Sequence, residues 1–282
     1  MSLSPEAVMS ALRSLTVEEL QTDLVSAGLV KNLQVQSGDV SLDIVFGFPA
    51  KSQFDTTRKS VIAAIKALPG VGNVSVSMSQ KIIAHAVQRG VKLIPNVKNI
   101  LAVASGKGGV GKSTTTVNLA LALAAEGATV GVLDADIYGP SIPTMLGIVG
   151  RPESVDGQTI EPMMGHGLQS NSIGFLIDKD QAMVWRGPMV TQALDQLLRQ
   201  TTWRDLDYLL IDMPPGTGDI HLTLAQNVPI TGAIIVTTPQ EIALMDARKG
   251  LKMFEKVSVP VLGIVENMSV YVCPGCGQTA HI

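Results

Sequence analysis

The sequence contains few cysteines and few aromatic residues. Among its 282 residues, two are cysteine and 4% are aromatic, although 46% are hydrophobic. Both cysteines, Cys273 and Cys276, lie in one short CPGCG stretch, which excludes a disulfide framework. Because the apolar residues are mostly aliphatic, the composition favours an α/β core, and the length allows one large domain or two smaller ones.

Basic runs and long apolar stretches are also absent from the sequence. The net charge is −3 and the lysines and arginines are scattered, which argues against nucleic acid or an anionic membrane as a partner. No stretch approaches the ~18 apolar residues of a membrane span, and residues 1–15 lack the basic and apolar regions of a leader peptide. We therefore predict a cytoplasmic protein with no nucleic-acid partner and no membrane partner.

Residues 1–80 are predicted to form a small α+β domain. Two short helices are expected first, the second of which begins with a capping box formed by Thr16 and Glu19. The segment LQVQSGDVSLDIVF alternates apolar and polar residues around a turn at Gly38, which indicates a β-hairpin. A helix over FDTTRKSVIAAIKAL and a strand over GNVSVSMS follow, because their apolar residues recur at helical and strand spacing.

The remainder of the chain has a different pattern. Residues 81–98 mix charged residues with Gly90 and Pro95 without a clear period, so they are predicted to be a linker with at most one helix. In residues 99–282, apolar runs alternate with helical stretches; the runs are ILAVA, TVGVLD, YLLID, GAIIVTT and VLGIVEN. This alternation is typical of βαβ units. The predicted fold class is α/β, a parallel-sheet domain preceded by the small α+β domain.

A glycine-rich loop follows the first apolar run. It reads GKGGVGKST and fits G-x-x-x-x-G-K-[ST], the phosphate-binding loop of P-loop NTPases. Glycines bring backbone N–H groups close to phosphate oxygens, and the next helix presents its positive N-terminus to the same anion. Lys112 is predicted to reach the β- and γ-phosphates of ATP, and Ser113 to bind Mg²⁺. The loop residues assigned to the nucleotide are Gly106, Lys107, Gly108, Gly109, Val110, Gly111, Lys112, Ser113 and Thr114.

Three aspartates stand at the ends of predicted strands. Asp212 ends the strand YLLID and is predicted to hold the Mg²⁺ shell, while the following Gly216-Thr217-Gly218 turn is suited to sensing the γ-phosphate. Asp134 and Asp136 end the strand after the first helix, near the expected position of an attacking water. We predict that Asp136 orients this water and that Asp134 supports it.

These motifs resemble one protein family. GKGGVGKST is similar to the deviant Walker A loop of MinD/ParA-like ATPases. LDADIYGPSIP, VWRGPM, LLIDMPPGTGD, VENMS and CPGCG, in this order, resemble the Mrp/ApbC/Nbp family of iron–sulfur cluster carriers. Residues 1–80 resemble the MIP18-like domain that precedes the ATPase domain in many bacterial members.

The resemblance implies several roles. Lys107 would reach the phosphates bound by the other subunit of a homodimer, as an arginine finger acts in trans, which makes Lys107, Lys112 and Asp136 the expected catalytic residues. Asn267 is expected to contact the adenine and Arg186 to lie at the dimer face.

The two cysteines suit a metal site that is shared between subunits. One CxxC provides two thiolates, whereas tetrahedral zinc and a [4Fe–4S] cluster both usually need four, and a two-fold axis would supply Cys273 and Cys276 twice. Chemistry alone leaves zinc open, and the resemblance selects a bridging [4Fe–4S] cluster. The four histidines show no ligand spacing and are interpreted as ordinary surface or core residues.

The function predicted from the sequence is an ATP-dependent iron–sulfur cluster carrier, whose partners would be apo iron–sulfur proteins and cluster scaffold proteins. A positioning ATPase or a zinc-bridged targeting ATPase is the alternative, but the basic patch of the first and the long Met- and Leu-rich insertion of the second are not seen in the sequence. Family members usually continue beyond the CxxC, so the C-terminal part of the ATPase domain is expected to be missing after Ile282.

Overall fold

The computed structural model describes residues 3–154, 156–176 and 187–281. The chain divides into two compact units, one made mainly of residues up to Ile83 and the other of residues from Ala84 onward. The first half of the VWRGPM motif, which includes Arg186, lies outside the described residues.

The first unit packs two helices against a three-stranded sheet of order β3-β4-β5. Strands β3 and β4 form the expected hairpin, and its turn residues Ser37 and Gly38 both have positive φ, as a tight two-residue turn requires. Strand β5 runs parallel to β4. The elements are α1 (Pro5–Leu12), β1 (Thr16–Val17), β2 (Thr22–Asp23), β3 (Val30–Gln36), β4 (Asp39–Phe46), α2 (Phe54–Lys66) and β5 (Val74–Gln80).

The predicted second helix, with its capping box at Thr16 and Glu19, is wrong. Thr16 pairs with Asp23 in a short antiparallel ladder, and a single 3₁₀ turn, Glu18–Leu20, follows without a side-chain cap. The backbone therefore uses its hydrogen bonds in the ladder, where they are not available to a helix. The segment from residue 81 to 96 forms no helix either.

The second unit is built on a seven-stranded sheet of order β12-β11-β6-β10-β7-β9-β8, which confirms the predicted fold class. All neighbouring pairs are parallel except β8 with β9. A separate hairpin, β13–β14, ends the described chain. The elements are β6 (Val97–Ser105), α3 (Lys112–Ala125), β7 (Val130–Asp134), α4 (Ile142–Met145), β8 (Met163–Gly165), β9 (Leu168–Ser172), α5 (Gly187–Gln200), β10 (Leu206–Pro215), α6 (Asp219–Asn227), β11 (Gly232–Thr237), α7 (Glu241–Lys256), β12 (Val261–Glu266), β13 (Val270–Val272) and β14 (Thr279–His281).

The apolar runs seen in the sequence form the central strands of this sheet. Strands β6, β7, β10 and β11 are almost wholly buried, and their side chains join those of α5, α6 and α7 in one large core. In a parallel sheet the carboxyl ends of the strands share one edge, so the ends of β6, β7 and β10 place their following loops together. Within the described ranges, no helix has the length and apolarity needed to cross a membrane.

Candidate nucleotide site and cysteine hairpin

The glycine-rich loop joins the end of β6 to the first turn of α3. Gly109 and Gly111 have φ of +80° and +88°, a conformation that side chains with a Cβ rarely adopt. A Cβ on Gly106 would lie 2.4 Å from Cβ of Asp246 in α7, and one on Gly111 would lie 2.3 Å from Nδ2 of Asn267. Close packing therefore requires a glycine at Gly106, and Gly111 combines a close contact with a left-handed backbone.

Lys112, the first residue of α3, is the centre of a buried polar cluster. Its Nζ lies 2.7 Å from Oδ1 of Asp212 and 3.7 Å from Oδ2 of Asp136. The hydroxyl of Ser113 donates to Oδ2 of Asp212 at 2.6 Å, and that of Thr116 lies 3.0 Å from Oδ1. The carboxylate of Asp212 is thus held at both oxygens, and the helix N-terminus adds positive potential beside it.

Asp134 and Asp136 line the same cluster from the end of β7. Asp134 is fully buried and lies opposite Asp212 in the sheet register; its carboxylate accepts from the backbone N–H groups of Asp136 and Ile142 and from the hydroxyl of Ser172. Burial, and then the charge of Asp212, raise the pKa of Asp134 to about 7, although these three hydrogen bonds oppose the rise.

Asp136 is held less completely than Asp134. Burial raises its pKa and the nearby Lys112 lowers it. Its Oδ1 is buried, and no residue in the described parts of the chain donates a hydrogen bond to it. An anionic oxygen that faces a polar cluster without a protein donor is suited to a water molecule or a hydrated cation.

Asn267 contacts the loop from the segment after β12. Its Nδ2 donates to the carbonyl of Val110 at 2.9 Å, and its backbone N–H donates to Thr237. The amide that the sequence assigned to adenine is therefore bonded to the loop backbone in this structure. This contact explains why Gly111 has no space for a side chain.

Lys107, Gly108, Gly109 and Thr114 lie on the open side of the loop. Lys107 is half-buried, and its carbonyl accepts from the hydroxyl of Ser105. Its ammonium forms no hydrogen bond or ion pair with any residue that the structure describes. Gly108, Gly109 and Thr114 are exposed. The surroundings of Lys107 thus differ from those of Lys112, which is buried against three polar side chains.

Cys273 and Cys276 lie in the turn of the β13–β14 hairpin. The N–H of Cys273 donates to Gln278 and the N–H of Gly277 donates to Cys273, so backbone bonds close the turn. Both thiols are free, and Cys276 is exposed. Donation from the backbone of Cys276 and Gly275 lowers the pKa of the Cys273 thiol, which favours the thiolate that binds metals. Among the described residues, no group of three or more His, Cys, Asp or Glu side chains is arranged to hold a metal ion.

The geometry of the loop cluster suits a nucleotide with Mg²⁺. Lys112 and the N-terminus of α3 offer positive charge to phosphates, while Ser113, Asp136 and Asp212 offer the oxygen ligands that Mg²⁺ prefers. The residues present therefore fit this ligand pair. The structure brings together Lys112, Ser113, Asp134, Asp136 and Asp212 as the sequence predicted, and it places the two cysteines in a separate hairpin.

Three residues of this cluster were not identified from the sequence. Thr116 holds Asp212, Ser172 holds Asp134, and the buried ring of His221 bonds the carbonyl of Pro214 at the end of β10. Thr116 is the third residue after Ser113, one helical turn along α3, and this spacing was a usable signal. Ser172 lies 38 residues after Asp134, and His221 lies seven residues after Pro214 in the next element, but no local pattern marks either contact.

The comparisons with known proteins agree with this geometry. Residues 96–282 match a family model described as NUBPL iron-transfer P-loop NTPase, and residues 5–76 match one described as iron-sulfur cluster assembly protein. The iron-sulfur cluster carrier protein of Escherichia coli K12 is 53% identical over 280 residues, which cover 98% of this chain and 76% of the relative. The mouse iron-sulfur cluster transfer protein NUBPL is 56% identical over 193 residues, which cover 68% of this chain and 60% of the relative.

One solved structure is also similar to this chain. A nucleotide-binding protein from Archaeoglobus fulgidus, solved in complex with ADP, is 42% identical to it with a TM-score of 0.59. The match covers 66% of this chain and 73% of the archaeal one. Because a family model spans the whole second unit from β6 onward and a relative more than half identical spans nearly the entire chain, this protein belongs to the NUBPL iron-transfer P-loop NTPase family.

Proposed function

We propose that this chain is an ATP-binding, slowly ATP-hydrolysing carrier that holds a [4Fe–4S] cluster between two subunits and transfers it to apo-proteins. The observation that carries the proposal is the pairing of a complete phosphate-loop cluster with a hairpin that offers two thiols. The names of the bacterial and mouse relatives support the cargo, and the archaeal protein's bound ADP supports the nucleotide.

Lys112, Ser113 and Asp212 would bind the nucleotide. In this structure the ammonium of Lys112 is paired with the carboxylate of Asp212. Bound phosphates would therefore compete with Asp212 for this ammonium. Mg²⁺, when bound, supplies charge neutralisation at the β- and γ-phosphates. Ser113 and Asp212 present a hydroxyl and a carboxylate oxygen on the side of the cluster where such a cation is expected.

Asp136 would orient the attacking water. Its Oδ1 is free of protein donors within the described residues, and its other oxygen faces Lys112. Asp134 would keep this loop in place, because it accepts from the backbone N–H groups at both Asp136 and Ile142. Lys107, whose ammonium has no partner among the described residues, would act on the phosphates of the second subunit.

Cys273 and Cys276 would hold the cluster together with the same two residues of a second copy. Two thiols are half of the usual set of four, and a two-fold axis completes the set without a further ligand. Val270, Tyr271 and Val272 of the hairpin are all exposed, and an isolated two-stranded hairpin is only marginally stable in water. Both features favour a partner against this hairpin.

We also propose the assignment of the remaining parts of the chain. Residues 1–80 would be a docking domain for apo-proteins or cluster scaffold proteins, residues 81–98 a linker, and residues 99–282 the ATPase domain. The first unit has Ala50 and Lys51 where many MIP18-like domains carry a cysteine, which argues against a cluster ligand there. A cytoplasmic location and the absence of membrane or nucleic-acid partners belong to the same proposal.

The test is anaerobic reconstitution of the purified chain with iron and sulfide. We expect about four irons per two chains and the absorbance of an iron–sulfur cluster in the wild type, and loss of both in Cys273→Ala and in Cys276→Ala. ATP binding should persist in both variants, since the hairpin and the phosphate loop are separate sites. Tightly bound zinc without iron uptake would contradict the proposal and favour the zinc-bridged targeting ATPase.

A further inference from the structure

His221 in α6 is a buried titratable residue to which neither the sequence nor the proposed function gives a role. Its side chain is 3% exposed, and its Nε2 lies 2.6 Å from the carbonyl oxygen of Pro214. A carbonyl oxygen can only accept, so Nε2 carries the proton and Nδ1 is the unprotonated acceptor. Nδ1 is buried, and no described residue donates to it.

The ring lies against the loop that connects β10 to α6. This loop, taken as residues 214–218, consists of the last two residues of β10 and the turn that leads into α6. It begins two residues after Asp212 and contains the turn expected to sense the γ-phosphate. A Cβ on Gly216 would be 3.8 Å from Cε1 of His221, so the ring packs on that glycine. Two backbone bonds fix the rest of the loop: Gly216 donates to Ser105, and His221 donates to Gly218.

The ring also lies close enough to the cluster to respond to its charges. Burial lowers the pKa of His221 and Lys112 lowers it further, while the bond to Pro214 and the charge of Asp136 raise it. The imidazole is therefore neutral near neutral pH, and it holds the Pro214 carbonyl without adding a positive charge next to Lys112.

We propose that His221 is a positioning residue for ATP hydrolysis. Its hydrogen bond to Pro214 holds the loop 214–218 in the position in which Gly216, Thr217 and Gly218 contact the γ-phosphate. The proposal rests on the proposed ATPase function. A core histidine with only a packing role would need a ring-shaped volume but no hydrogen bond to the loop. The hydrogen bond to Pro214 is thus the feature to remove.

Two substitutions separate the hydrogen bond from the packing. His221→Leu fills the buried space with an apolar side chain and removes the donor. The side-chain amide of His221→Gln can instead place a neutral donor near the position of Nε2. We expect kcat for ATP to fall about tenfold or more in His221→Leu, because a misplaced loop costs transition-state contacts, with the Kd for ATP within about threefold of wild type. His221→Gln should restore kcat to within about threefold of wild type.

Hydrogen exchange provides a readout that does not depend on hydrolysis. The amides of Gly216, Thr217 and Gly218 should exchange faster in His221→Leu than in the wild type, and His221→Gln should return them towards the wild-type rates. Equal kcat losses in the two variants, or unchanged kcat and exchange in His221→Leu, would overturn the proposal. If the wild type hydrolyses no ATP, the proposed function fails, and the exchange rates alone then decide whether His221 positions the loop.

Discussion

The two lysines of the phosphate loop differ in their surroundings, and this difference predicts different mutant phenotypes. Lys112 is buried against Asp212, whereas the ammonium of Lys107 has no partner among the described residues. We expect Lys112→Ala to weaken ATP binding about tenfold or more, because the charge for the β- and γ-phosphates is lost. Lys107→Ala should change the Kd for ATP by less than about threefold and lower kcat by about tenfold or more, since the role proposed for Lys107 is in trans.

Isothermal titration with ATP and a phosphate-release assay distinguish these effects. Removal of Lys112 also leaves the carboxylate of Asp212 buried without its cation, so thermal unfolding must be measured for both variants. Equal losses of ATP affinity in the two variants, at similar thermal stability, would rule out the trans role of Lys107.

Asp134 predicts a pH-dependent stability. Its pKa of about 7 lies above the ordinary value of 3.8, so the folded chain holds a proton that the unfolded chain releases between these values. The stabilisation that this proton gives to the folded chain is complete below the ordinary pKa and is lost as the pH rises through about 7. In this range the free energy of unfolding falls by at most about 1.4 kcal/mol per pH unit. Asp134→Asn does not titrate, so it should gain stability relative to the wild type as the pH rises through this window.

Urea unfolding without nucleotide or Mg²⁺, at about pH 5 and about pH 7.5, measures this difference. Asp156→Asn is the control, because backbone donors lower the pKa of this exposed carboxyl and its charge is constant between the two pH values. If the free energies of unfolding of Asp134→Asn and the wild type differ by the same amount at both pH values, Asp134 is not protonated in the folded chain.

At the residue scale, the sequence predicts which side chains meet when they belong to one motif or end neighbouring strands. Lys112 and Ser113 are adjacent in a loop with a fixed pattern, and Asp134, Asp136 and Asp212 end apolar strands, so their meeting follows from a parallel sheet. Ser172 and His221 could not be predicted, because their partners come from strands β7 and β10 and only the three-dimensional arrangement brings them together.

At the scale of elements, the contact of α7 with the phosphate loop is sensitive to added volume. A Cβ on Gly106 would lie 2.4 Å from Cβ and 2.7 Å from the backbone carbon of Asp246, so the helix or the loop must move. Gly106→Ala should lower the free energy of unfolding by about 1–3 kcal/mol. Gly108→Ala is the matched control in the same loop, since no atom lies within 4 Å of its Cβ position, and it should change stability by less than about 0.5 kcal/mol.

Chemical denaturation of the two variants beside the wild type checks this prediction. If the Gly106→Ala chain is as stable as the Gly108→Ala chain, α7 can move to accommodate the added methyl group with little loss of unfolding free energy. ATP affinity should be measured as well, because a displaced loop is expected to bind phosphates less well even where the fold persists.

Most strands of the large sheet were predictable because their residues form continuous apolar runs. These runs became the buried strands β6, β7, β10 and β11 and the largely exposed edge strand β12, whereas β9 was missed. Its sequence, LQSNS, is polar yet wholly buried, because Gln169 bonds the backbone at Arg204, Asn171 bonds Thr201 and Ser172 bonds Asp134. Periodicity cannot identify such a strand, since its burial depends on partners that the pattern does not contain.

At the scale of the whole molecule, the number of thiols determines the stoichiometry of the proposed carrier. The hairpin of each chain provides two cysteines, so a cluster with four thiolate ligands requires two chains. The family and the fold could be predicted from the sequence because their motifs are local. The pairing of two chains is a contact between copies, which the structure of a single chain does not show, so the homodimer stays a prediction.

Mixed dimers test this pairing directly. If wild-type chains are unfolded, mixed with an equal amount of Cys273→Ala chains and refolded before anaerobic reconstitution, random pairing leaves about a quarter of the dimers with four thiolates. The iron content should therefore fall to about a quarter of the wild-type value, rather than to the half expected if each chain held its own cluster. Asn118→Ala is the control partner, because within the described parts of the chain this exposed side chain bonds only Thr114 on its own helix. The substitution leaves both cysteines in place, so its mixture should keep the full iron content. An iron content of one half in the Cys273→Ala mixture, with holo-protein that sediments as a monomer, would exclude a shared cluster.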